Sequence, residues 1–311
     1  RRDLKTDPFK RLGLWADFLT NKLYFAAFVH PDPAAAYQVY EVINTRGKEL
    51  TTADLLKNYI LSQTPSEEKE RRYNEWQYLS SQFQDDGSNN FVQYIRHVIT
   101  VEDGHVLPRD LYAFLAGRLR NQDKAPHSPN ELISLFEDNL RLYLQIIDPS
   151  VSGPATGPML SIFAALNSLG VIAVRPLLLA IANTENPELG MKRILELVVR
   201  RIVVGSLGTG NVERRLGDAA RKIKLQGSWE NGLNDLRDLN PSREDFQSQL
   251  KKRSYNKSTL TFLRRSVVEN SQTPSRIGNL HFICPKQSED WRGMNEEDRA
   301  FWCSTIGNTM L

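Results

Sequence analysis

The chain has 311 residues, 40% hydrophobic and 25% charged, with a formal net charge of +3. Such a composition builds a large core and excludes a disordered or low-complexity polymer. Two cysteines, Cys284 and Cys303, provide no disulfide framework and too few ligands for a structural zinc site, which points to a reducing, cytoplasmic setting.

The first predicted element is an amphipathic helix over residues 9–29, with Leu12, Trp15, Phe18, Leu19, Leu23, Phe25 and Phe28 on its apolar side and the Pro31-Asp32-Pro33 turn as its stop. A β-like run over 37–43 gives way to the turn Asn44-Thr45-Arg46-Gly47-Lys48, whose glycine can take positive φ. Thr51 or Thr52 then caps a helix with Asp54 in its first turn and Leu55, Leu56, Tyr59 and Ile60 on one face. Asn44, Arg46 and Lys48 therefore stand beside the positive end of a helix, a place suited to a phosphate or a partner's carboxylate. The alternative is that Asn44 and Arg46 hold the turn and pair with Asp54.

Helical spacing continues over 67–84, carrying Tyr73, Trp76, Leu79 and Phe83, then over 90–100 and 110–120. A polar linker follows, and Ser128-Pro129 introduces a helix over 131–147. Residues 149–158 hold two glycines and three prolines, either a domain boundary or a loop between packed helices. Strongly apolar helices over 159–169, 173–182 and 187–204 are expected at the centre of a bundle. Their longest apolar runs, broken by Arg175, are too short to span a bilayer, so no membrane partner is expected. Gly205–Gly210 (GSLGTG) lacks the Lys-Ser/Thr of a phosphate-binding P-loop and follows a helix, so it is assigned to a helix–helix turn. A helix resumes over 212–225, Ser242 reads as an N-cap, and helices over 246–252 and 260–269 close the helical part.

Charge is unevenly spread. Residues 192–265 carry 17 Lys/Arg against 8 Asp/Glu, an excess that can steer a polyanion. Arg200, Arg201, Arg214, Arg215, Arg221 and Lys222 are the candidate DNA contacts, though paired arginines on a helix also read as solvated faces. His30, His97, His105 and His127 show no metal-ligand spacing, and Glu67-Glu68 and Glu296-Glu297-Asp298 read as solvated helix starts. From Asn279 the character changes to a short apolar strand-like run at 280–284, Pro285-Lys286, a polar loop with Trp291, an acidic helix start at 295–298, and Ile306-Gly307-Asn308. Cys284 in that run reads as a core residue rather than a nucleophile.

Two frames carry a resemblance. Tyr40, Ile43, Asn44, Arg46, Gly47, Leu50, Asp54, Leu55, Leu56, Lys57 and Asn58 match, in one register, the signature F-x-x-[IL]-N-x-R-G-x-x-L-[ST]-x-x-D-L-[IL]-K-N. That signature resembles the bacterial family whose N-terminal domain holds a DGQQR motif and is often fused to an HNH-type nuclease domain. GmrSD-type modification-dependent restriction enzymes and the SspE and BrxU anti-phage proteins belong to it. Ile283, Pro285, Lys286, Trp291, Ile306, Gly307, Asn308 and Leu311 match the HNH-domain frame E-H-I-x-P-[KQ], a Trp, then [IL]-G-N-L-x-L. The DGQQR motif, upstream in the family, is absent here, and a chain beginning at Arg1 is expected to be part of a longer protein.

Helical periodicity predicts a mainly α protein, with a helical part over 1–125, assigned by the resemblance to the DGQQR-type domain, and a helical middle domain over 126–270; the resemblance adds an incomplete ββα-metal (HNH-like) segment over 271–311. It implies a modification-dependent, type IV-like restriction endonuclease that nicks or cleaves foreign DNA, stimulated by a nucleoside triphosphate. In such sites a histidine at the end of the first strand acts as general base, and Mg²⁺ or Mn²⁺ steadies the scissile phosphate. Carried over, His281 and Asn308 are the catalytic candidates, Asn308 also the metal ligand, and Asn44, Arg46 and Lys48 the nucleotide contacts. The expected partners are DNA, modified or not, and a nucleotide, and the chain is compatible with a homo-oligomer. The pattern breaks at its centre: Leu280-His281-Phe282-Ile283-Cys284-Pro285 reads as the motif with its Glu-His pair removed after Phe282. His281 substitutes only by a one-residue slip, which turns a strand side chain to the opposite face. That break favours an alternative, a catalytically inactive DNA-binding or regulatory subunit of a phage-defence system. A helical protein–protein module is the third option.

Overall fold

The computed structural model describes residues 7–24, 51–83, 88–117, 127–206, 210–275 and 277–311, and the chain divides into two units, 1–50 and 51–311. The expected β-like run at 37–43 and the turn carrying Asn44, Arg46 and Lys48 lie outside the described residues. The protein is mainly α, and the described residues contain two strands of two residues each. No described helix is long and apolar enough to cross a membrane.

In the first unit, α1 (Pro8–Asp17) starts where Asp7 caps Lys10 N at 3.3 Å, and passes into a π turn at Phe18–Lys22. The backbone is already extended at Leu23, short of the helix expected over 9–29. Phe9, Leu12, Trp15 and Leu19 are exposed.

The second unit opens with α2 (Thr52–Ser62). Thr51 and Asp54 form a capping box, each side chain closing an orphan backbone N–H of the first turn. Asp54 also meets Lys57 at 3.4 Å. There follow α3 (Lys69–Ser81), α4 (Ser88–Asp103), α5 (Leu111–Leu115) and α6 (Pro129–Ile147). The last begins with a second capping box, Ser128 with Glu131, and with proline in its first turn. Next come α7 (Gly157–Ser168), α8 (Arg175–Ala182), α9 (Pro187–Val204) and α10 (Gly210–Gln226). The end of α9 is set by Gly205 at φ 79°, whose N–H and that of Ser206 both reach Arg201 O.

The centre of the unit is α8. Residues 176–181 are all buried, and the helix is packed by α4, α6, α9 and α10. An eight-residue helix has little stability of its own, so its conformation comes from this packing. The loop after α6 is pinned by Gln145, whose amide donates to Ala155 O and accepts from Ala155 N at 2.7 Å. Gly153 lies so close that a Cβ would meet the Gln145 amide at 2.5 Å. The glycine- and proline-rich stretch thus folds down on α6.

The remaining elements are α11 (Trp229–Asn234), α12 (Arg243–Lys252), α13 (Lys257–Val268), β1 (His281–Phe282), α14 (Glu296–Cys303) and β2 (Thr309–Met310). Replacing Leu178, 1% exposed in α8, with alanine is expected to lower the unfolding free energy by about 2–5 kcal/mol, read from urea denaturation.

Candidate functional site

The two pieces of the C-terminal frame, some twenty residues apart in sequence, meet in space. β1 pairs antiparallel with β2, His281 opposite Met310 and Phe282 opposite Thr309. Ile283 N donates to Asn308 O at 2.9 Å. The Asn308 side chain then closes the arrangement: its Oδ1 accepts from Cys284 N at 2.8 Å, and its Nδ2 donates to Cys284 O at 2.7 Å and to Cys303 O at 3.1 Å. Trp291 Nε1 donates to Pro285 O at 2.8 Å and holds the loop. Asn295 caps α14 through Asp298 N, so the acidic residues 296–298 sit in a favourable first turn and face solvent. Arg264 of α13 anchors the segment by donating to Ile306 O and to Thr309 Oγ1, and Tyr255 N reaches Ser304 O at 2.8 Å.

This geometry gives the polar groups structural partners. His281 is exposed on β1. Cys284 is half-buried, and Cys303 is buried. Among the described residues no three His, Cys, Asp or Glu side chains converge on a point where a metal ion could sit. The Asn308 Oδ1, the atom of this amide able to ligate a metal, accepts from Cys284 N at 2.8 Å.

The basic residues of 192–265 divide by partner. Arg201 is buried and turned onto backbone carbonyls, donating to Leu239 O at 2.8 Å and to Ser206 O. Arg200 reaches Pro241 O at 3.4 Å. Arg215 grips both oxygens of Asp238, which holds the Asp238 carboxyl below its ordinary pKa and the Arg215 guanidinium above its own. Lys222 meets Asp235 at 2.7 Å, and Arg221 lies against Gly104. Arg214 is the most open of the group, its side chain 71% exposed and 3.7 Å from Asp218. Among the six, Arg214 therefore has the charge most available to a polyanion.

A buried polar group within the bundle has no counterpart in the sequence reading. Arg96 and His97 sit on α4 among Tyr94, Ile95, Val98 and Ile99, all nearly inaccessible. Arg96 pairs with Glu213 of α10 at 2.8 Å, His97 Nδ1 lies 2.8 Å from Tyr143 Oη of α6, and the Arg175 guanidinium stands 5.9 Å from the Tyr143 ring centroid. The signal was two adjacent polar residues set between the apolar pairs Tyr94-Ile95 and Val98-Ile99. Burial first, then the positive charges of Arg96 and Arg175, hold the His97 imidazole neutral, with its pKa well below the ordinary 6.5. His127, by contrast, pairs with Asp103 at 2.8 Å, and His105 is shifted downward mainly by burial.

Two outcomes are expected. Asn308→Ala should loosen the terminal hairpin by about 1–3 kcal/mol, seen as faster hydrogen exchange at the Ile283 and Cys284 amides. The unfolded chain takes up a proton on His97 near pH 6.5, and the folded chain does so only at lower pH. Stability is thus full above about 6.5 and falls as pH drops below it, by at most about 1.4 kcal/mol per unit. Urea titrations between pH 7 and 5 should show this slope, and His97→Asn should remove most of it, leaving the smaller part from His105.

No protein-family model and no curated protein matches the chain.

Proposed function

We propose that this chain is the DNA-binding or regulatory part of a modification-dependent phage-defence restriction system, and that residues 51–311 have no strand-cleaving chemistry of their own. The observation that carries the second half is the Asn308 amide: in the position of a nuclease ligand, its three hydrogen bonds go to Cys284 and Cys303. The tie to defence systems rests on the eleven matched positions between Tyr40 and Asn58. DNA contact is supported by the positive excess of 192–265 and by the exposure of Arg214. Asn44, Arg46 and Lys48 are proposed as contacts to a nucleotide phosphate.

A second reading, an HNH-type endonuclease, is favoured by the β1–β2 pairing, which brings 280–285 beside 306–308 as a nuclease frame requires. One set of measurements separates the two. The full-length protein is incubated with supercoiled plasmid and Mg²⁺ or Mn²⁺, and its DNA affinity is followed as a function of salt. The regulatory reading expects no nicking, with binding that falls by a log–log slope of about −0.9 per neutralised phosphate. Arg214→Glu should weaken binding to all sequences alike. Nicking that disappears in His281→Ala would establish the endonuclease, and absence of binding at low salt would leave a protein–protein module. Nucleotide binding unchanged in a stable Arg46→Ala variant would remove that residue from the nucleotide site.

A further inference from the structure

A groove of about 490 Å³ lies where α9 faces α11 and the turn that follows it. Ile194, Leu197, Leu233 and Leu236 form its apolar part, and Trp229 lines it beside them. The indole is held in two ways. Its Nε1 donates to Glu185 O at 3.1 Å, and its ring packs so closely on α9 that a Cβ at Gly190 would meet Trp229 Cγ at 2.8 Å. A ring tied at its edge and backed by a glycine is a fixed platform, and it remains half-buried.

The polar side chains are sorted by the turn. Leu236 N donates to Leu233 O at 3.0 Å, Leu239 N to Leu236 O at 3.0 Å and Asn240 N to Arg237 O at 3.1 Å, bonds of three-residue period. Side chains three apart eclipse one another in such a turn. Asn234, Arg237 and Asn240 accordingly share the groove, while Asp235 and Asp238 turn to α10, where Lys222 and Arg215 take them. The two acids that line the groove are occupied as well. Glu196 is held by Arg193 at 3.1 Å and Gln272 at 2.9 Å, and Glu230 accepts from Ser228 at 2.8 Å. The Arg237 guanidinium and the Asn234 and Asn240 amides are exposed and have no side-chain partner among the described residues.

Each of these groups matches part of one kind of ligand. A fixed aromatic face stacks a planar base whatever its identity. An amide carries donor and acceptor together, the pair that fits adenine N6 and N7. A guanidinium without a carboxylate partner suits a phosphate. The volume lies within the roughly 300–1,000 Å³ of small-molecule sites.

We propose that this groove binds one nucleotide unit, its base stacked on Trp229 with the Asn234 and Asn240 amides at the base edge and its phosphate on Arg237. A free mononucleotide and an unstacked base of a single strand carry the same two groups, and both are sources of such a unit. The proposal stands on the groove alone and is independent of Arg214 and of the contacts proposed at Asn44, Arg46 and Lys48.

The test titrates the isotope-labelled full chain at pH 7 with adenosine monophosphate, with adenosine and with ribose phosphate, the last two lacking the phosphate and the base. The readout is the Trp229 indole N–H resonance, identified by nuclear Overhauser contacts from the indole to Gly190, so a nucleotide held elsewhere does not register. The monophosphate is expected to bind at least ~10-fold more tightly than either fragment, as stacking and a charge-assisted contact together require. Arg237→Gln, an exposed change that leaves the core untouched, should remove the advantage over adenosine. A short deoxyadenosine single strand separates the sources by the same signal. Binding at least ~10-fold tighter than the mononucleotide assigns the groove to unstacked nucleic acid, and equal or weaker binding assigns it to a free nucleotide. An indole signal unmoved by both the mononucleotide and the strand, adenosine shifting it at the same concentration as the monophosphate, or undiminished affinity in Arg237→Gln would each overturn the proposal.

Discussion

The burial of α8 on every side is the constraint from which the rest of the second unit follows. Six consecutive residues, Pro176 to Ile181, expose almost no surface, so no face of the helix can be given to solvent. Each neighbour must then present apolar side chains at helical spacing. Ile95 and Ile99 in α4, Phe136 and Leu140 in α6, Ile194 and Val198 in α9, and Leu216 and Ile223 in α10 show that pattern among the core residues. Arg175 marks where the apolar run ends, and it is also where the polar interior begins.

That interior joins three long helices through few atoms. Arg96 and His97 of α4 reach Glu213 of α10 and Tyr143 of α6, and Arg175 closes over the tyrosine ring. In a low-dielectric setting such groups rigidify a core when satisfied and are costly when one partner is lost. The network specifies which helix faces meet, a role that interchangeable leucines do not perform. The neutral imidazole is part of this specification, since a charged His97 would stand beside two arginines.

Local signals were legible in the sequence, and tertiary ones were not. Ser128-Pro129, Ser242 and the limits of α9 at Pro187 and Val204 follow from capping chemistry and periodicity, which act within a few residues. The helix α11 was missed because its six residues include Gly232 and show no period. The glycine is needed there because a Cβ would lie 2.3 Å from Ile223 Cγ1. The candidate DNA contacts show the same division. Counting charge found the basic stretch, but Asp235 and Asp238 claim Lys222 and Arg215, and Arg201 turns inward to the Leu239 carbonyl nearly forty residues away. At the C-terminal site the strand run and the Ile306-Gly307-Asn308 piece were legible, but their meeting through one amide side chain needed coordinates.

The Asn308 clamp has a consequence for how this end of the chain can vary. One side chain bonds residues 24 positions away in sequence, so the segment from Cys284 to Asn308 is a loop sealed at its neck. The cost of closing such a loop grows only slowly with its length, by about 0.6 kcal/mol for each doubling. The polar stretch between Pro285 and Asn295 can therefore lengthen, shorten or exchange residues while the neck holds. Insertions there should be tolerated, whereas a substitution at the single asparagine opens the neck and leaves the segment held by Arg264 and Tyr255.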